Sequence, residues 1–343
     1  MLCKENRLKD NQYFTGLDGL RGIFCIGIAI YHVGGVFDFV FPKWLGFVYE
    51  YGGYFGNYMF FIISGFLTAY GYQKRIKEKE YTFVGFMIKH LKKIYPVYVL
   101  SNLAMMYFGN APFTVERVIV TFLMGYGGLS GKTMPYNFPT WFLCILLICY
   151  GLYYIVAALS DKYPKAYVPL CVGLVVLGVI LEICDWSVPL NYRTCGEGYL
   201  NFFLGVILAE VLSAEKAGAV YVKIVNCFML FFLIAVMWFI GFDNLYGDMR
   251  WWISGLCINL ASAAVHEGWI AKILSWDFFH MIGIGSKDIF LWHIPVVWAF
   301  LRLAPKCSAG SSFLLYMLTL AAFTTLLYYG KMKGKEFGLT LMR

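Results

Sequence analysis

Apolar residues in this chain gather into long runs separated by charged clusters and by Gly or Pro breaks. The runs fall at about 19–40, 53–72, 94–109, 118–128, 141–160, 167–184, 197–213, 221–242, 251–266, 286–303 and 311–330. A helix needs about 20 apolar residues to cross the hydrocarbon of a bilayer, with a lower limit of about 17. The run from Val118 to Leu129 is too short to cross and reads as a re-entrant or interfacial piece. The runs 94–109 and 251–266 sit at the lower limit. The pattern therefore predicts an all-α, polytopic membrane helix bundle of about ten transmembrane helices. No internal repeat, low-complexity tract or soluble segment interrupts it, so residues 1–343 read as a single membrane-embedded domain. The first 18 residues are polar and show no cleavable signal, so the first run is expected to stay as the first span.

Positive charge supplies the orientation. With ten spans and the N-terminus inside, the internal segments carry 21 of the 28 Lys and Arg residues and the external segments seven. Such a bias is the sign expected when basic residues remain in the cytoplasm. Counting the short run as a full span would invert everything after it and place the Lys-rich tail outside. Both termini are thus expected on the cytoplasmic side of the cell membrane.

Composition removes other classes. Hydrophobic residues make up 60% and charged residues 14%, against roughly 45–50% and about 25% in ordinary soluble domains. A soluble enzyme, a disordered chain and a nucleic-acid-binding module are excluded. The net charge of +8 is accounted for by membrane orientation. None of the ten cysteines forms a CxxC pair, and most lie inside apolar runs, so they read as small buried hydrophobes and not as a disulfide frame or metal site. Cys195 and Cys307 fall in expected external loops, with nothing in the sequence to support their pairing.

The informative positions are polar residues inside apolar runs, which are costly there and mark function by default. The first run holds Asp18, Arg21 and, eleven residues after Arg21, His32. Eleven residues are three helical turns plus about 20°, so Arg21 and His32 share a face, roughly 16 Å apart along the axis. Asp18, three residues before Arg21, can pair with it. One face then carries an ion pair at the cytoplasmic mouth and an imidazole deep in the membrane. The plain reading is an interfacial anchor and a packing histidine. The functional reading is a site in which His32 takes a proton. In the second run Ser64-Gly65 can let helices approach closely or can narrow a site. The stretch Lys89-His90-Leu91-Lys92-Lys93-Ile94-Tyr95-Pro96 reads as a cytoplasmic loop, either fixing topology or holding an anionic ligand. His293, seven residues into its run and two before Pro295, is either a packing histidine at a kink or a second functional imidazole. His266 and His280 are expected at span ends or in loops, solvated, and Glu182, Glu197 and Glu210 at or near span ends.

Five stretches, in order over about 15–300, resemble the acyltransferase-3 family of integral membrane acyltransferases. They are Leu17-Asp18-Gly19-Leu20-Arg21-Gly22 with His32, Phe60-Phe61-Ile62-Ile63-Ser64-Gly65-Phe66, Lys93-Ile94-Tyr95-Pro96, Thr140-Trp141-Phe142-Leu143, and Gly285-Ser286 through His293-Ile294-Pro295. Two positions depart from the family pattern. His90 and Lys93 stand where Arg-x-x-Arg is usual, and a lysine lacks the bidentate fork that suits phosphate. Lys287 stands where an aromatic often follows the serine.

The resemblance implies transfer of an acyl group, commonly acetyl, from cytoplasmic acyl-CoA to a hydroxyl of a sugar in a cell-surface glycan or lipid-linked precursor. Acetyl-CoA would be the donor co-substrate, with no metal. The implied catalytic residues are His32, Asp18 and Arg21. Arg21, Lys92 and Lys93 would face the donor's phosphates, and Ser64, Trp141 and His293 would line the substrate site. The expected partners are acyl-CoA, a sugar or glycolipid acceptor and the bilayer, with no nucleic acid. The rival class is a transporter or flippase of lipid-linked sugars. It suits broken helices and midplane polar groups, but no inverted repeat or chain of buried carboxylates accompanies it.

Overall fold

The computed structural model describes residues 12–33, 36–37, 46–184, 186–213, 249–265, 268–303 and 308–336. Its long elements are helices α1 (Thr15–Val33), α2 (Gly46–Lys77), α3 (Phe83–Phe108), α5 (Trp141–Lys162), α6 (Tyr167–Cys184), α7 (Arg193–Ser213), α8 (Met249–Val265), α10 (Asp277–Leu303) and α11 (Ala309–Glu336). Two short helices, α4 (Val115–Phe122) and α9 (Trp269–Leu274), join them. Among the described residues there is no strand, only a lone bridge between Tyr126 and Ser130.

Six stretches, at Thr15–Val33, Phe138–Lys162, Pro164–Cys184, Arg193–Ser213, Asp277–Leu303 and Ala309–Gly330, are long and apolar enough to cross a membrane. With 32 and 26 residues, α2 and α3 are also long enough by length alone. The expected span at 221–242 lies outside the described residues. α4 has eight residues, about 12 Å, and does not cross.

α1 packs against α2, α8, α9 and α10. Gly16, Gly19 and Gly22 recur every third residue, and each fills a different close approach. A Cβ at Gly16 would meet the Ala264 carbonyl of α8 at 2.4 Å, one at Gly19 the Leu274 carbonyl of α9 at 2.0 Å, and one at Gly22 the Gly283 amide of α10 at 2.8 Å. Contacts between small residues give packing where lipid supplies no hydrophobic drive. Cys25 continues the α1–α10 seam, its Sγ donating to the Ser286 carbonyl at 3.1 Å. Contacts rise in step along both helices, so α1 and α10 run parallel. α2 and α7 also pack backbone to backbone: Gly65 and Gly205 lie against the Phe202 and Ile62 carbonyls, where a Cβ would come within 1.9 and 2.0 Å. The small Ser64-Gly65 pair thus serves close packing at Gly65.

Several boundaries differ from the sequence reading. α1 begins at Thr15 and ends at Val33, which puts Asp18 in its first turn and His32 in its last, far from the helix middle. α3 begins at Phe83 and runs through Lys89–Lys93 and Pro96, so the expected loop is the first half of a helix. A proline inside a helix removes one N–H and crowds the preceding turn. Here the Lys93 carbonyl in that turn accepts from Lys287 Nζ of α10 at 2.9 Å. α10 begins at Asp277, nine residues before the apolar run, so His280 is helical, half-buried, and 3.5 Å from Asp18. Of the described cysteines, Cys25, Cys144, Cys149, Cys171, Cys195 and Cys257 are buried free thiols and Cys184 is exposed.

Candidate active site

The two embedded histidines meet. His293 Nε2 lies 3.0 Å from His32 Nδ1, with the rings stacked at 5.1 Å between centroids. They stand 261 positions apart in sequence. His293 is fully buried, whereas His32 is partly buried, with Tyr31 and Phe138 edge-on to it. The tautomers follow from the partners. His293 Nδ1 lies 2.7 Å from the Phe290 carbonyl, which can only accept, so Nδ1 carries the proton. In a neutral ring Nε2 then accepts, and His32 Nδ1 is the donor. The lone pair of His32 is left on Nε2.

A proline fixes this turn. Pro295 has no N–H, so the Leu291 carbonyl four residues earlier loses its helical partner. Asn137 Nδ2 replaces it at 2.8 Å. Asn137 is itself held by Asn102 Oδ1, which accepts from its backbone N–H at 2.9 Å, and by the Ser101 hydroxyl at 3.2 Å. Tyr316 of α11 adds a hydrogen bond to the His293 carbonyl at 3.1 Å. None of Asn102, Asn137 and Tyr316 was singled out from sequence. An Asn inside the apolar run of α3 was the available signal.

At the other end, Arg21 Nη1 is 3.5 Å from Asp18 Oδ1. Asp18 also accepts from the Tyr13 hydroxyl and faces His280. Partial burial and the bond to Asp18 push the Tyr13 hydroxyl up to about 12, so it stays a donor.

Between these ends lies a cavity of about 390 Å³, walled by α1, α2, α3, α5 and α10. Arg21, Ser64, Lys93 and Lys287 all line it, together with His90, Tyr72 and Tyr150. The Ser286 hydroxyl, in the same wall, is buried and has no hydrogen-bond partner. Lys92 is exposed and is not part of this lining. Trp141, half-buried at the start of α5, packs beside Gly127 and Phe142 and is not in the wall. Neither histidine lines the cavity; its wall on their side is Phe60, Phe142 and Phe290. A further polar group, weighed lightly in the sequence, is Glu197, buried in α7 near Glu182 and Arg193.

Comparison with known proteins identifies the family. A family model described as an acyltransferase domain matches residues 14–331. The chain is 25% identical over 334 positions to a protein of Staphylococcus aureus (strain COL) named "Putative O-acetyltransferase", covering 85% of this chain and 52% of that one. It is 24% identical over 319 positions to O-acetyltransferase OatA of Staphylococcus aureus (strain NCTC 8325), covering 83% and 51%. The chain spans about half the length of the curated relatives it matches. No solved structure matches it. With the family model covering nearly the whole bundle, this chain belongs to the acyltransferase-3 family.

Proposed function

We propose that this chain is a membrane O-acyltransferase that moves an acyl group, most simply acetyl, from acyl-CoA to a hydroxyl of a sugar in a cell-surface glycan or lipid-linked precursor. With both termini and the Lys-rich ends in the cytoplasm of a ten-span bundle, the Arg21 mouth faces the cellular acyl-CoA. The observation that carries the reading is the His32–His293 pair, 3.0 Å apart, above a cavity whose mouth bears Arg21, Lys93 and Lys287. The three cations suit the donor's phosphates, with the lysines acting as point charges. Asp18 holds Arg21 in place, and Ser286 offers an otherwise unused hydroxyl to the donor arm.

In the reaction, the acceptor oxygen forms a bond to the acyl carbon and the C–S bond breaks. The hydroxyl proton passes to His32 Nε2 and then to the departing thiolate, leaving an ester and free CoA. His293 keeps His32 in the tautomer that has its lone pair on Nε2, the role of an orienting group beside a general base.

The test is mass spectrometry of surface glycans from cells expressing the wild type or His32→Ala, at matched membrane levels. Wild-type cells should gain acyl esters and the variant should not. Stabilisation of the purified protein by acetyl-CoA should accompany this. Normal ester levels with His32→Ala would refute the reading.

A further inference from the structure

Phe60, Phe142 and Phe290 come from three different helices and meet as a closed triangle. Their ring centroids lie 6.1 Å (Phe60–Phe142), 6.0 Å (Phe60–Phe290) and 5.6 Å (Phe142–Phe290) apart. All three line the cavity. The Phe290 ring is also 6.0 Å from that of His293, which does not line it. Phe290 therefore touches the cavity on one side and the histidine pair on the other. It stands three residues, about 4.5 Å of helix rise, short of His293. One turn below it, the buried Ser286 hydroxyl faces the same space without a partner. A donor arm ending at that hydroxyl would have its acyl group against the three rings.

We propose that the Phe60–Phe142–Phe290 triangle is an aromatic partition that sets the acyl-chain length of the donor and keeps water from the thioester until acceptor arrives. This rests on the transferase reading above and deepens it. The rings close the cavity to anything longer than a short acyl group. To reach the acceptor oxygen at His32, the acyl carbon must pass the edge of Phe290, so the width of that opening selects the chain. The bond changes are those of the transfer already described. In the leak reaction, water replaces the acceptor: its oxygen bonds to the acyl carbon, the C–S bond breaks, and carboxylic acid and CoA are released.

The triangle predicts a shift in profile, not a simple loss. Purified protein in lipid nanodiscs is given acetyl-, butyryl- or hexanoyl-CoA without acceptor, and free thiol is measured. Membranes bearing the native acceptor are given the same donors, and ester is measured by mass spectrometry. The variants are Phe290→Ala, Phe142→Leu and Phe60→Leu, the last two preserving most of the side-chain volume in case the first folds poorly. Expected is a rise of about tenfold or more in the butyryl-to-acetyl ratio of ester formed, the weight of one or two methylenes in an apolar slot, together with faster thiol release without acceptor. A ratio unchanged within about twofold in all folded variants, with wild type transferring acetyl normally, overturns the partition and leaves the transferase standing. If the wild type transfers no acyl group from any donor, the transferase reading fails and the partition falls with it.

Discussion

Gly283 and Gly285 lie two residues apart on α10 and offer a matched pair of perturbations. A Cβ at Gly283 would stand 2.0 Å from the Asp18 carbonyl oxygen and 2.9 Å from its Cα, both backbone atoms of α1. One at Gly285 would meet nothing within 4 Å. Gly283→Ala therefore forces α1 and α10 apart by at least about 1 Å, because backbone cannot rotate away as a side chain can. Overpacking of this kind costs about 1–3 kcal/mol. Both substitutions gain the same helix propensity, about 1 kcal/mol, so their difference isolates the contact. Gly285→Ala should be neutral to about 1 kcal/mol stabilising, and Gly283→Ala should fall about 1–3 kcal/mol below it. The assay is equilibrium unfolding in mixed detergent micelles, followed by helical circular dichroism. The contact also holds Asp18 beside Arg21, and a misplacement of about 1 Å can cost 10²-fold in rate, so acyl transfer should fall in Gly283→Ala alone. Two variants equal within about 0.5 kcal/mol would show that α1 and α10 are not seated as described.

Three further outcomes follow from the same geometry. Asn137→Leu strips the donor from the Leu291 carbonyl and should destabilise by about 1–3 kcal/mol; with Pro295→Ala, which restores the missing N–H, the loss should shrink, and strictly additive effects in a double-mutant cycle would refute the repair. His32→Ala should lower acyl transfer by roughly 10²–10⁴-fold, whereas His293→Ala should lose less and leave the KM for acyl-CoA unchanged; equal losses would deny His293 an orienting role. Lys93→Met should raise the KM for acyl-CoA about tenfold, the weight of one charge-assisted contact of about 1.5 kcal/mol, and Lys92→Met should not, a difference that equal KM values would erase.

Long apolar runs made the all-helical architecture legible because lipid imposes a plain rule on length and polarity. The boundaries were less so. The stretch Lys89–Pro96 reads as a loop in sequence, yet it is helical, and Lys287, 194 residues away, bonds to the carbonyl in the turn that Pro96 disturbs. His280 looks solvated until α10 is seen to begin at Asp277 and bring it to Asp18. The acid–base face of α1 was legible from an eleven-residue spacing alone. That His293 would be the partner of His32 was not, since no local pattern reports a contact across 261 positions. Lys93 could not be separated from Lys92 either, because neighbouring helical residues differ by about 100° of rotation, and only the packed bundle shows which one meets the cavity.

The distance in sequence between the paired imidazoles has a consequence for biosynthesis. One ring lies on α1 and the other on α10, so a ribosome must thread the 261 positions between them before both are present. On the proposed reading, a product stalled before α10 carries His32 without its orienting partner. On that reading, the arrival of α10 is the step that arms the site.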